Sequence, residues 1–352
     1  MKELWKLFDG KESYPIDEKI WIGDDNRLLS IQSPLNKKFL FYTDHDYQGL
    51  WKFNPQIPIF DKNNIVSFGE GNTPVVNEKW HEKNVRFKLE FLFPTGSYKD
   101  RGATVLLSKI KELGVTKIIE DSSGNAGCAI AAYAAKAKID SEIYVSSKAS
   151  PAKIKQMKGY GANVIVVDGT REDVADAAIN AARNSYYASH SYNPFFFEGT
   201  KTFAYEIWEQ CTDMPDEIIF PVGNGTLIIG SYIGFNELKS AGLIEKIPML
   251  SIAQAMNCPS ISDTGVDKFQ PTIAEGIAVK NPVRKSLINE ILISTKGCYY
   301  TVNEDDIFKE HINLHKAGYF VELTSAVATA AVPQSSIEKV LVPLTGHGLK
   351  NL

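Results

Sequence analysis

From about residue 86 onward, the sequence alternates between short apolar runs and helical patterns. Runs at residues 117–120, 142–145 and 163–167 predict strands, and a helical pattern follows each of them. The second half continues in the same style, with apolar runs at residues 217–220, 248–252 and 340–344. Strands that alternate with helices form parallel, doubly wound sheets. The sequence therefore predicts an α/β protein built from two such units with a cleft between them.

The first ninety residues lack this regularity. They contain short apolar clusters, aromatic residues and turn signals, and residues 21–28 resemble a strand, a tight turn and another strand. A Gly-punctuated segment, residues 69–74, ends this part of the chain with a proline.

Composition and charge exclude several classes of function. A net charge of −4 argues against a surface that binds nucleic acid. The sequence has no apolar run of the roughly 18 residues that span a bilayer, and acidic residues near the N-terminus do not fit a signal peptide. The four cysteines are far apart and form no metal-ligand spacing. We expect a cytoplasmic protein that binds neither membrane nor nucleic acid and has no metal site.

Lys99 is the first candidate for chemistry. It follows a Gly-Ser turn and directly precedes a helical pattern that begins at Ala103. An ammonium at a helix N-terminus faces the positive end of the helix dipole, which favours the neutral amine. A neutral amine is a nucleophile that can bond to a carbonyl carbon. An ordinary exposed lysine is the alternative from this segment alone.

Three polar turns stand at the carboxyl ends of predicted strands, where parallel sheets bind ligands. Residues 121–127 could hold anionic or carbonyl oxygens, or simply cap a helix. Residues 221–227 place two glycines before a helix, a pattern that suits one phosphate group and lacks both the P-loop and dinucleotide signatures. Residues 343–350 present the Thr345 hydroxyl after the last strand, although a turn without function would look the same.

Together these segments resemble the fold type II pyridoxal-phosphate enzymes, and most closely their threonine synthase branch. The resemblance extends over nearly the whole chain. It rests on these motifs, in the order of the family: residues 69–74, 94–102, 122–125, 193–194, 198–202, 223–225 and 345–350.

The resemblance implies a role for each site residue. Lys99 would hold the aldehyde of pyridoxal 5′-phosphate and move protons at the substrate, and Asn125 would hydrogen-bond the ring oxygen. Thr345 would meet the ring nitrogen, and the phosphate would lie on Gly223, Asn224, Gly225 and Thr226. A neutral hydroxyl at the ring nitrogen suits elimination and replacement reactions. Substrate contacts would come from Thr95, Ser97, Ser122, Ser123, His190 and Glu275.

The resemblance also implies an overall organisation. It predicts a discontinuous large domain of residues 1–90 and 196–352, a small domain of residues 91–195, and the cofactor in the cleft between the domains. It further implies a homodimer that acts on a small amino acid.

The chain departs from the threonine synthase pattern near the substrate. Family members carry an Asn-Ser pair and an arginine that grip the substrate phosphate, whereas His190 stands here in the asparagine's place and Phe196 in the arginine's. Residues 122–127 and 272–279 are similar to the serine/threonine dehydratase branch. Glu275 is either a carboxylate near the cofactor or a surface residue in a turn. Residues 21–31 contain no cysteine where related chains have a metal knuckle, so no zinc is predicted.

We therefore expect a threonine synthase-like lyase that acts on O-phosphohomoserine or a related substituted amino acid. A serine/threonine dehydratase or β-replacement enzyme is the alternative within the same class. A non-catalytic paralogue that binds an amino acid is the alternative from another class.

Overall fold

The computed structural model describes residues 2–34, 43–262 and 269–352. Within these residues the strands are β1 (Lys6–Phe8), β2 (Ser13–Pro15), β3 (Ser30–Gln32), β4 (Val75–Trp80), β5 (Lys83–Lys88), β6 (Lys117–Glu120), β7 (Asp140–Ser146), β8 (Asn163–Val167), β9 (Tyr186–Tyr187), β10 (Glu217–Pro221), β11 (Met249–Ala255), β12 (Tyr299–Val302) and β13 (Lys339–Pro343). The helices are α1 (Lys99–Glu112), α2 (Asn125–Ala137), α3 (Pro151–Gly159), α4 (Arg171–Ala181), α5 (Pro194–Thr200), α6 (Thr202–Gln210), α7 (Thr226–Ser240), α8 (Lys285–Thr295), α9 (Glu304–Lys316) and α10 (Leu323–Ala330).

The chain forms two compact units. Unit 1 contains Met1–Gly71, Lys99–Thr202 and Ser240–Leu243, and unit 2 contains Asn72–Tyr98, Phe203–Lys239 and Ile244–Leu352. Among the described residues, no helix is both long and apolar enough to cross a membrane. Each unit has the predicted α/β architecture, in which a parallel sheet is combined with helices.

Unit 1 is built on a parallel sheet with the strand order β8-β7-β6-β9, and a small antiparallel sheet, β2-β1-β3, accompanies it. Its core combines Ala-rich α2 with apolar residues from α1, from the N-terminal segment (Trp5 and Leu7) and from α5 (Phe196). Residues 21–28 do not form the predicted pair of strands. Asp24–Asn26 is a 3-10 turn there, in which Asp25 and Asn26 have positive φ.

Unit 1 groups the described residues up to Gly71 with α1. One polar stripe on α1 accounts for this attachment. Thr104 Oγ1 donates to Val66 O (2.6 Å), Ser108 Oγ accepts from Val66 N (2.8 Å), and Glu112 Oε1 accepts from Phe60 N (2.7 Å). Residues spaced by four lie on one face of a helix, so this stripe fixes the preceding segment along the length of α1.

Unit 2 is built on a six-stranded sheet with the order β12-β11-β10-β13-β5-β4, parallel except for the edge strand β4. A buried ion pair stabilises its edge: Lys88 Nζ lies 2.7 Å from Glu206 Oε2 and 2.8 Å from Gln210 Oε1. Glu206 also accepts from Asn72 N (2.8 Å), so the segment before β4 is attached to α6. A buried charge is tolerated when it is paired and hydrogen-bonded in this way.

The turn of the hairpin between β4 and β5 forms an ion pair with α9, and the stabilisation that this pair provides depends on pH. His81 and Glu82 form its two-residue turn, both with positive φ, and His81 Nε2 lies 3.1 Å from Glu310 Oε1 on α9. Hydrogen bonding to Glu310 raises the pKa of His81 above its ordinary value, although burial opposes the change. The pair therefore stabilises unit 2 fully below the unfolded pKa and loses this contribution as pH rises through the raised pKa.

We expect the free energy of unfolding to fall by up to about 1 kcal/mol through this pair when the pH is raised from about 5.5 to about 8.5. Urea unfolding at both pH values measures it. His81→Asn is the matched control, because asparagine tolerates positive φ but does not titrate. Equal pH dependence in the parent and His81→Asn would contradict the assignment.

Candidate functional site

In unit 2, the loop before Lys99 is fastened to the C-terminal segment of the chain. Gly96 has φ +80, a conformation that favours glycine, and its carbonyl accepts from His347 N (2.9 Å). Tyr98 N donates to Thr345 O at 3.2 Å, and Ser97 forms a β-bridge with Gly346. The residue directly before Lys99 is thereby held beside the Thr345 turn.

Two predicted substrate residues, Thr95 and Ser97, lie in this same loop and are buried. Lys350 Nζ donates to Thr95 O at 2.6 Å, which closes the loop from the C-terminal side. The loop is therefore buried and held in one conformation by hydrogen bonds to the C-terminal segment.

Thr345 is buried and lies two residues after the end of β13. Its backbone N–H donates to Ser325 Oγ at 2.9 Å, and the two hydroxyl oxygens are 3.4 Å apart. Ser325, on α10, therefore restricts the direction in which the Thr345 hydroxyl points. Sequence patterns do not distinguish Ser325, because it is one of several small residues in an apolar helix.

The glycine-rich turn joins β10 to the N-terminus of α7. Gly225 has φ +72, and a Cβ on Gly223 would lie 2.9 Å from Ile277 Cα, so neither position accepts a side chain without strain. Tyr98 Oη lies 2.9 Å from Thr226 Oγ1, the first residue of α7. Tyr98 thus contacts both the glycine-rich turn and the Thr345 turn, a role that the sequence did not reveal.

In unit 1, Lys99 and Asn125 are the first residues of α1 and α2. Lys99 is half-buried. A Cβ on Gly124 would meet no heavy atom within 4 Å, so there is space directly before the N-terminus of α2. Position 127 requires glycine, since a Cβ added there would lie 2.1 Å from Ser122 O.

The two serines before Asn125 take part in local hydrogen bonds. Ser123 Oγ accepts from Ser146 N at 2.8 Å, which connects this turn to the end of β7. Ser122 Oγ accepts from Gly124 N at 3.3 Å. Both are predicted substrate contacts, and Ser123 has a structural role in addition.

His190 forms a buried pair with Glu120 in unit 1. His190 Nδ1 lies 2.7 Å from Glu120 Oε1, and His190 N donates to Glu120 Oε2 at 3.2 Å. Burial raises the pKa of the Glu120 carboxyl well above its usual range, and the charge of Asp121 adds to the effect. Burial lowers the pKa of His190 well below its usual range, and Lys99 and Arg171 add to this. These directions favour a pair without net charge that shares one proton.

Asp121 belongs to the same cluster. The ligand atoms of Glu120, Asp121 and His190 all lie within 4.8 Å of one another, a grouping that could also hold a metal ion. The prediction of no metal site followed from cysteine spacing, which carries no information about this cluster. The sequence indicated His190 but neither carboxyl group, because Glu120 looks like the polar end of a strand.

Phe196 packs on the first turn of α1. A Cβ on Gly102 would lie 2.3 Å from the Phe196 ring, and the ring centroid of Phe196 is 5.9 Å from that of His190. Phe196 is fully buried. The residue that replaces the family's arginine is therefore a packed part of the unit 1 core.

We expect Gly102→Ala to lower the free energy of unfolding by about 1–3 kcal/mol, because the new methyl group overlaps a buried ring. Phe196→Leu in the same chain should recover part of this loss, and a double-mutant cycle measures the coupling.

Gly159→Ala is the control for this cycle. It also lies in a helix of unit 1, but its Cβ would meet no heavy atom within 4 Å, so no loss is expected. Strictly additive effects of Gly102→Ala and Phe196→Leu would contradict the packing described here.

Glu275 begins a 3-10 turn, Glu275–Ile277, in unit 2 and is exposed. Beside it, a Cβ on Gly276 would lie 2.5 Å from Thr324 Oγ1. The role of Glu275 toward a ligand stays a prediction.

Comparison with known proteins gives a consistent result. The family model for pyridoxal-phosphate dependent enzymes matches residues 66–346. A threonine synthase of Methanocaldococcus jannaschii is 33% identical over 97% of this chain and 91% of its own length. A threonine synthase of a Bacillus species is also 33% identical, over 87% of this chain and 91% of its own.

Solved structures support the fold. The O-acetylserine dependent cystathionine beta-synthase of Helicobacter pylori superposes with a TM-score of 0.69 at 23% identity and covers 80% of this chain and 94% of its own. Maize serine racemase superposes with a TM-score of 0.68 at 20% identity, over 78% and 88% of the two chains.

Proposed function

Because the chain belongs to the pyridoxal-phosphate dependent enzymes and, within them, to the threonine synthase family, we propose that it is a lyase that eliminates or replaces a side-chain substituent of an amino acid. The substrate class is O-phosphohomoserine or a related amino acid with a substituent at the β- or γ-carbon. The dehydratase and β-replacement reactions belong to the same class of chemistry.

The observation that carries this proposal is the position of Tyr98. Its hydroxyl contacts Thr226 at 2.9 Å and its backbone donates to Thr345 at 3.2 Å, and Lys99 follows it directly in the chain. Tyr98 thereby contacts Thr226, proposed for the phosphate, and Thr345, proposed for the ring nitrogen, and it directly precedes Lys99, proposed for the aldehyde.

The residues of this chain fit pyridoxal 5′-phosphate. Gly223 and Gly225 have no side chains that could cover the backbone N–H groups at the start of the 15-residue helix α7. These N–H groups are hydrogen-bond donors suited to a phosphate dianion. Thr345 would offer its hydroxyl to the ring nitrogen. Asn125 follows Gly124, beside which there is open space, and its side-chain amide would hydrogen-bond the ring oxygen. We propose these residues as the cofactor contacts.

When bound, the cofactor withdraws electrons from the α-carbon of the substrate. Lys99 Nζ would take the proton from that carbon and return a proton later in the reaction. Thr345, held by Ser325, would offer a neutral hydroxyl instead of a carboxylate, so that the ring nitrogen gains no ion pair. The first turn of α7 would bind the phosphate and orient the ring.

We further propose a homodimer in the cytoplasm. The family resemblance supports both statements, and light scattering after gel filtration of the purified protein measures the oligomeric state.

We expect Lys99→Ala to lower turnover by at least about a thousandfold, because the covalent bond to the cofactor and the mobile proton are lost together. Borohydride treatment should no longer attach the cofactor covalently to the protein, because the imine that it reduces to a stable amine is absent. In the parent protein, peptide mass mapping after borohydride reduction should locate the cofactor on Lys99.

Lys111→Ala is the matched control. Lys111 is also half-buried and lies on the last turn of the same helix, where its Nζ donates to Asn63 O (2.8 Å). Full activity with cofactor attachment is expected of this variant. A reduced cofactor found on another lysine would refute the role of Lys99, and a parent protein with cofactor but no turnover of any tested amino acid would favour the non-catalytic alternative.

A further inference from the structure

Gln254 is a fully buried polar residue near the end of β11, in unit 2. The other residues of this strand are apolar or small, and a side-chain amide in such surroundings costs free energy unless it is hydrogen-bonded. Its Nε2 donates to Val222 O at 2.8 Å and to Ser260 Oγ at 3.2 Å. Its Oε1 accepts from Ile261 N at 3.0 Å and from Tyr299 Oη at 3.2 Å. Both donors and both acceptor positions of the amide are therefore used.

The position of Gln254 follows from the parallel pairing of β10 and β11. Pro221, the last residue of β10, is in register with Ala253, and Val222 N donates to Ala253 O at 3.1 Å. Gln254 is the next residue of β11, and its side chain reaches the carbonyl of the same Val222. Strand β11 thus holds Val222 by its N–H and by its C=O, directly before the glycine-rich turn.

The hydrogen bond to Val222 O also sets the direction of the Gly223 N–H. Both groups belong to one peptide unit, which is planar and trans, so the carbonyl and the N–H point in opposite directions. With the carbonyl held by Gln254, the N–H of Gly223 points away from Gln254. A hydrogen bond at the carbonyl also polarises the peptide unit, which strengthens its N–H as a donor.

Gly223 has no means of controlling this orientation itself. A Cβ there would lie 2.9 Å from both Ile277 Cα and Val279 Cγ2, so the position excludes a side chain. A peptide plane beside a glycine rotates with little steric resistance. After such a rotation the carbonyl oxygen would take the place of the N–H, and it would repel an anion instead of binding it.

We propose that Gln254 is a positioning residue for the cofactor phosphate, because it holds the Val222–Gly223 peptide unit with the Gly223 N–H toward the phosphate. Gln254 acts through this backbone unit and does not itself contact the cofactor. The inference rests on the proposed function, in which the glycine-rich turn binds the phosphate.

Binding of pyridoxal 5′-phosphate and of pyridoxal, which lacks the phosphate, tests the inference. Both ligands carry the aldehyde that Lys99 would bond, so the ratio of their dissociation constants, pyridoxal over pyridoxal 5′-phosphate, reports the contribution of the phosphate. The full chain, freed of cofactor, is titrated with each ligand, and the absorbance of the bound ligand is measured. In Gln254→Met we expect this ratio to fall by about tenfold, because methionine has a similar length but no N–H donor.

Gln254→Asn is a second, milder variant. It keeps an amide, but the side chain is one methylene group shorter and draws the donor away from Val222 O. The ratio should fall here as well. In both variants the phosphorus NMR signal of the bound cofactor should shift relative to the parent, because the donors around the phosphate are rearranged.

Ser251→Ala is the matched control. Ser251 is also fully buried on β11, but its Oγ donates to Glu217 and accepts from Cys298 N at 2.9 Å rather than bonding the glycine-rich turn. We expect this variant to have a lower free energy of unfolding and to keep the parent ratio and the parent phosphorus signal.

The possible outcomes separate the inference from the proposed function. A parent-like ratio in folded Gln254→Met or Gln254→Asn, whether both ligands bind normally or both weaken equally, would overturn the inference and leave the proposed function intact. A comparable fall in Ser251→Ala would assign the effect to general destabilisation and would also overturn it. A parent protein in which borohydride attaches neither ligand to Lys99 would refute the proposed function itself.

Discussion

Tyr98 is the residue on which the proposed site depends most. It uses its side chain toward Thr226 and its backbone toward Thr345, so two turns from different parts of unit 2 are fixed against one residue. Lys99 follows in the chain, and the next residues are already helical. A lysine that must reach a small cofactor benefits from such a fixed neighbour, because displacement of a reacting group by about 1 Å can greatly reduce its rate.

The helix that Lys99 begins is held from two directions within unit 1. On one face, Thr104, Ser108 and Glu112 hydrogen-bond the N-terminal segment. On another, Gly102 allows the Phe196 ring to pack directly on the helix backbone. These contacts explain why an irregular N-terminal segment is part of the same compact unit as the Lys99 helix. Its attachment comes from hydrogen bonds to helix side chains rather than from strand pairing.

The sequence predicted the regular part of the fold well, because apolar runs such as residues 117–120 and 163–167 depend on local periodicity. It also indicated Lys99, Asn125 and the glycine-rich turn through local motifs at strand ends. It did not indicate how the segment around Val66 attaches, since Val66 meets Thr104 and Ser108 only through tertiary contacts. It missed Glu120 for the same reason: its partner His190 is far away in sequence, and a carboxyl at a strand end is usually solvated.

The predicted site residues of unit 2 and those of unit 1 are under different physical constraints, each within its own unit. Tyr98, Thr226, Thr345 and the glycines around Gly225 are fixed by close backbone approach, so changes there would disturb the cofactor. In unit 1, Glu120 and His190 hydrogen-bond each other and the His190 ring lies against the Phe196 ring, so these residues are held by a buried polar pair and an aromatic contact. The chain belongs to the threonine synthase family and has a buried carboxyl–imidazole pair and a phenyl ring at the positions where the sequence resemblance predicts departures from that family.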